Sequence, residues 1–197
     1  AEEHLFSFVA GSACLSFLVF LLAAAGLVRK GVFLALGAAA LAAVFKLGAH
    51  RAAGGPLPPL PRIWKYLFGA AFTLYGVLYL ANAMAPEISP DGVAYHLRFV
   101  ADYARARGFV RITTNMYANL SQGLELLFLF AYVFGRNSAA AMVHFLYLMT
   151  LPLLMLSYAR RMGIPVAGAA AALFVFLSPV VGIDGISAYN DVAIACV

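Results

Sequence analysis

Long apolar runs separated by short polar breaks dominate the chain, and they predict helices that cross a bilayer. Residues 5–28, 31–48, 63–84, 138–158 and 164–181 each hold enough apolar side chains for a span. Crossing the hydrocarbon takes about 20 residues at ~1.5 Å each. A sixth run, 120–134, is shorter and carries Glu125. Backbone polar groups must be satisfied within each segment inside lipid, so the pattern predicts an all-α, polytopic integral membrane protein.

Composition agrees: 64% of the residues are hydrophobic and 11% charged, where a soluble domain carries roughly a quarter charged residues. The net charge of +5 does not mark a nucleic-acid partner, because the basic residues sit singly at loop edges rather than on one face. They bear on orientation instead. Lys46, Arg51, Arg62 and Lys65 surround a Pro/Gly-rich linker at 50–61, and Arg160 and Arg161 follow the 138–158 run, so both sites are expected to be cytoplasmic. That choice allows one crossing between the polar loop and Arg160, which makes 120–134 a surface or re-entrant helix; the alternative count, with 120–134 as a short span, puts Arg160 and Arg161 outside. Arg29, Lys30 and four loop arginines run against it. The expected organisation is an N-terminal hairpin (1–49), the linker (50–61) and a membrane module (62–197) with an extracytoplasmic loop at 85–137. Cys14 and Cys196 have no partner spacing and read as small buried hydrophobes. The first run lacks a basic leader, so it reads as a retained helix. Residues 191–197 begin a helix too short to cross, and the chain is expected to be the N-terminal part of something longer.

Residues 85–119 interrupt the apolar pattern with Asp, Arg, His and Tyr beyond what a connection needs. Ser89-Pro90-Asp91 predicts a helix start, with Ser able to cap and an acid in the first turn. Asp91 is thus either a structural acid or a base. The helix it opens is amphipathic, with Val93, Leu97, Val100, Ala101 and Ala104 on one face and Arg98, Asp102 and Arg105 on another, and is expected at the membrane surface. His96 lies five residues after Asp91, which on an α-helix places it on a different side. Arg98, Arg105, Arg107 and Arg111 suit either a lipid phosphate or ordinary headgroup contact.

Glu125 needs water, a cation or a partner, since an unpaired carboxylate in lipid costs a few kcal/mol. Gln122, three positions earlier, would share its face. His144 is expected to bond a neighbouring helix, and Asp184 to form a turn with Gly185. Asp191 follows Asn190 at a helix start. Two acids, Asp91 and Asp191, meeting at one membrane face would suit general-base or cation-assisted chemistry.

Pro90-Asp91-Gly92-Val93-Ala94-Tyr95-His96-Leu97, the turn at Gly108, Gln122-Gly123-Leu124-Glu125-Leu126-Leu127, Phe134-Gly135 and Tyr189-Asn190-Asp191 together resemble polytopic bacterial glycosyltransferases of the C superfamily, which includes aminoarabinose transferase and protein O-mannosyltransferases. The resemblance covers residues 86–197. It implies a bundle with membrane-parallel helices in the first large extracytoplasmic loop, 120–134 among them. It also implies a polyprenyl-phosphate sugar donor, a glycan, lipid or protein acceptor, and an active site on the extracytoplasmic side of a bacterial inner membrane. Asp91 and Asp191 fall on the catalytic positions, with a divalent cation between them if one is used; Tyr95, His96, Arg98, Gln122 and Glu125 are expected to bind substrate. Two features depart from the pattern. The usual Lys-Pro-Pro element before the parallel helix is here Asn119-Leu120-Ser121-Gln122, and the family's C-terminal spans and domain have no counterpart in these residues. A rival reading is a transporter or lipid-flippase fragment in which Glu125, His144 and Asp191 line a polar path. A third is a non-catalytic membrane scaffold whose loop binds a partner.

Overall fold

The computed structural model describes residues 2–46 and 57–197, and the described residues form helices joined by loops, with no strand. Eight α-helices follow in order: α1 Glu2–Ala24, α2 Lys30–Lys46, α3 Arg62–Ala83, α4 Leu97–Ala106, α5 Gly123–Arg161, α6 Pro165–Phe176, α7 Pro179–Ile186 and α8 Asp191–Ala195. Most of the expected linker lies outside the described residues. Its last residue, Pro61, is extended at φ −53° and ψ 144°, the geometry proline favours.

Three helices, α1, α3 and α5, are long and apolar enough to cross a membrane, and α6 with α7 make a fourth if the bent pair counts as one. The fold is that of a multi-pass membrane protein. Phe17, Leu34, Leu74 and Phe174 point outward, as they would toward lipid. Two of the five expected spans are not single long helices among the described residues. α2 has 17 described residues and ends where the described residues break off at 46, so the expected 31–48 span lies partly outside them. The 164–181 run is not one helix: α6 and α7 meet at 65°. The cause is local, since Pro179 holds Ser178 in extended backbone at φ −64° and ψ 124° and cannot donate to the preceding turn. Tyr79 on α3 donates its hydroxyl to the Phe176 carbonyl at the bend, at 2.9 Å, satisfying a group the break leaves without a helical partner.

α5 is the central element, and its 39 residues would extend about 58 Å if straight. They do not. Gly135 (φ −135°, ψ 16°) and Arg136 (φ 59°, ψ −144°) break it. The first arm, 123–134, starts beside the middle of α1, where Ser16 donates to the Gly123 carbonyl at 2.6 Å. It ends beside the start of α2, where Lys30 lies over the Phe134 ring. The second arm runs back along α3, from Ser138 near the Ala85 carbonyl to Arg160, which donates to the carbonyls of Pro58 and Leu57. This second arm runs from the loop end to the end where α3 begins. Arg160, Arg161 and the start of α3 therefore share one end, where the Arg161 guanidinium also holds the buried Glu2 carboxylate.

The 85–122 segment occupies the opposite end. Val28 donates to the Arg107 carbonyl at 3.1 Å and Phe109 to the Ala23 carbonyl at 3.3 Å, which staples the end of α4 to the α1–α2 turn. A Cβ at Gly108 would stand 2.8 Å from the Ala23 oxygen, so only glycine fits there. α4 has the expected amphipathic pattern, but it turns Leu97, Phe99, Val100 and Tyr103 inward.

Candidate functional site

At the loop end a cavity of about 380 Å³ is lined by Asp91, Tyr95 and His96 from one side and by Asp184, Asn190 and Asp191 from the other. The two acids singled out from separate loops thus face one hollow. What brings them together starts with backbone. Residues Gly92–His96 form a π-helical turn rather than the first turn of an α-helix, and Leu97 donates to the carbonyl of Gly92, five residues back. In that wider turn residues five apart stack. Asp91 and His96, expected on different sides, therefore line the same cavity, a correction to α-helical spacing. The expected cap, Ser89, has its hydroxyl buried without a partner among the described residues, and Asp91 itself stands at the cap position without a side-chain capping bond.

Glu87 fixes the other wall. One carboxylate oxygen accepts from Ser89 N–H at 2.8 Å and the other from Ala188 N–H at 2.6 Å, so a single side chain ties the loop to the α7–α8 connection. Nothing local in the sequence marks Glu87 for this, because its partner lies 101 residues away. Asp184, expected in a turn, sits instead within α7. Its Oδ2 accepts from Val192 N–H at 3.0 Å, which supplies the start of α8 with an acceptor.

Beneath the cavity the His96 Nδ1 and the Glu125 Oε1 are 2.7 Å apart, both side chains buried. The Asn190 amide donates to the same oxygen at 3.3 Å, while Oε2 has no partner among the described residues. With the Nδ1 proton directed at the carboxylate, the His96 Nε2 is left for the cavity. Tyr95 stacks on Tyr117 at 4.5 Å and lies 4.2 Å from the His96 ring. Burial, and then the Asp91 carboxylate, push its phenol above the usual range. Asn190 and Tyr189 were visible beside Asp191 in sequence but carried no assigned role; both line the hollow.

Two expected substrate-binding residues are not brought here. Arg98 points into solvent, its side chain 70% exposed, and pairs with Asp102 at 3.5 Å. Gln122 precedes the helix at φ −115° and ψ 34°, so helical spacing does not align it with Glu125, and its amide donates to the Ala118 carbonyl at 2.8 Å. His144 bonds neighbouring elements as expected: Nδ1 donates to the Ser187 carbonyl at 2.9 Å and Nε2 accepts from Ala193 N–H at 3.3 Å. Among the described residues no group of three His, Cys, Asp or Glu stands close enough to hold a metal ion. Comparisons with protein-family models, with curated proteins and with solved structures match nothing.

Proposed function

We propose that the protein is a membrane glycosyltransferase that moves a sugar from a polyprenyl-phosphate donor to an acceptor hydroxyl at the loop end of the bundle, taken as the extracytoplasmic face, with inversion. The observation that supports this reading is the acid-lined cavity, in which Asp91 and Asp191 stand with His96 and Tyr95 where the apolar bundle gives way to the polar loop. In the proposed step the acceptor oxygen bonds to the anomeric carbon as the bond from that carbon to the phosphate oxygen breaks. The electron pair leaves with the lipid phosphate. Asp91, exposed at the cavity wall, takes the acceptor proton. Asp191 orients the acceptor, and the His96 Nε2, with its ring held by Glu125, binds a substrate hydroxyl. The carboxylates suit this work because they accept a hydrogen bond from the nucleophile without competing for the electrophile.

The transporter reading would need Glu125, His144 and Asp191 along one path, whereas His144 is fully buried with both ring nitrogens bonded. The test is transfer from radiolabelled polyprenyl-phosphate sugars by the full-length protein in liposomes. Asp91→Asn is expected to lower transfer by about 100-fold or more while leaving membrane insertion intact. Transfer within a few-fold of the unmodified protein would refute the base assignment.

A further inference from the structure

A second and larger hollow, about 630 Å³, opens at the same end and shares no lining residue with the acid cavity. Arg29, Lys30, Arg105, Arg107 and Arg136 line it, and among the described residues no acid does. Arg105 shares Asp102 with Arg98. The other four form no ion pair among the described residues, and two of them rest on aromatic faces, Arg136 at 5.6 Å from the Tyr132 ring centre and Lys30 at 6.0 Å from that of Phe134.

Like charges gathered in one hollow repel, so the fold must impose the arrangement. It does so through backbone. The hydrogen bonds from Val28 to Arg107 and from Phe109 to Ala23 clamp the α1–α2 turn, with Arg29 and Lys30, against the end of α4. Arg107 and Arg136 are moreover the two non-glycine residues with positive φ among those described, at 62° and 59°, and both line this hollow. An L side chain adopts that conformation at a cost. Arg107 takes its left-handed conformation as the C-cap of α4, its N–H donating to the Tyr103 carbonyl. The five cations are exposed, and together they hold a positive field in a hollow that suits an anion. Guanidinium pairs match phosphate oxygens in bidentate geometry, and Val28, Ala104 and Val133 give the hollow an apolar floor.

We propose that this basic hollow binds a phosphate-bearing anion, a monoester or diphosphate presented at the membrane face. The assignment does not depend on the acid cavity being catalytic. The test uses the purified full-length protein and two probes: phosphatidic acid in phosphatidylcholine, read by native mass spectrometry of retained lipid, and inorganic diphosphate, read by calorimetric titration. Arg107→Gly and Arg136→Gly remove the charge while glycine keeps the positive φ without strain, so the fold is expected to persist in thermal melts. Each is expected to weaken binding about tenfold, while Arg98→Gln, on the same helix but outside the hollow, leaves it unchanged. Loss confined to phosphatidic acid assigns a lipid headgroup, and loss confined to diphosphate assigns a soluble phosphate; either supports the site. Binding of neither probe, binding unaffected by the glycine variants, or equal weakening by Arg98→Gln would overturn it.

Discussion

Glu125 gives one oxygen to His96 and Asn190 and keeps the other buried and unpartnered among the described residues, so its replacement separates two effects. Glu125→Ala strands the His96 Nδ1 and is expected to cost about 1–3 kcal/mol of stability, read as a lower thermal midpoint in detergent. Glu125→Gln retains an amide oxygen as acceptor and should lose clearly less. Equal loss from both would mean that the carboxylate's charge, not its hydrogen bond, holds the ring. That Glu125 required a partner was legible in sequence, since a carboxylate among leucines cannot stand alone in lipid. The partner's identity was not: His96 lies 29 residues away, on an element whose local geometry departs from the α-helix.

Among the elements, the π-helical turn at Gly92–His96 decides the site more than any helix does. It depends on Gly92, where an added Cβ would approach the Ser89 hydroxyl oxygen to 2.5 Å and the Glu87 carboxyl carbon to 3.0 Å. Glu87 cannot yield freely, being held by both Ser89 and Ala188. Gly92→Ala is therefore expected to destabilise by about 1–3 kcal/mol and to uncouple the loop from the α7–α8 connection, measured by faster amide exchange at Ala188. Unchanged exchange there would show that Glu87 absorbs the added methyl. The helices α1, α3 and the second arm of α5 follow from apolar length. The bend at Ser178-Pro179 was also written in the sequence, because proline disfavours helix in the residue before it; run length alone hid it.

Across the whole molecule, the folded-back α5 sets the loop and Arg160 at opposite ends. Ile88, in the loop, and Met162, just past α5, are both exposed. With Cys14 and Cys196 changed to Ala, Ile88→Cys and Met162→Cys are expected to react with an impermeant maleimide from opposite sides of the membrane. Labelling of both from one side would mean that the second arm of α5 does not cross, and the shared-face argument for the loop would fail. Cation placement does not settle orientation by itself, since Arg29, Lys30, Arg105, Arg107 and Arg136 crowd the loop end while Arg62, Arg160 and Arg161 mark the other.

The apolar runs determined the membrane class and the helical architecture, because lipid leaves the backbone no other means of satisfying its polar groups over such lengths. They also exposed the acids, each an expensive exception in its surroundings. Tertiary structure decided which exceptions meet. A turn widened by one residue aligned Asp91 with His96, a break at Gly135 and Arg136 folded α5 back on itself, and one glutamate joined loops far apart in the chain. These are long-range packing outcomes that helical periodicity cannot encode, since period specifies a face and not what lies against it.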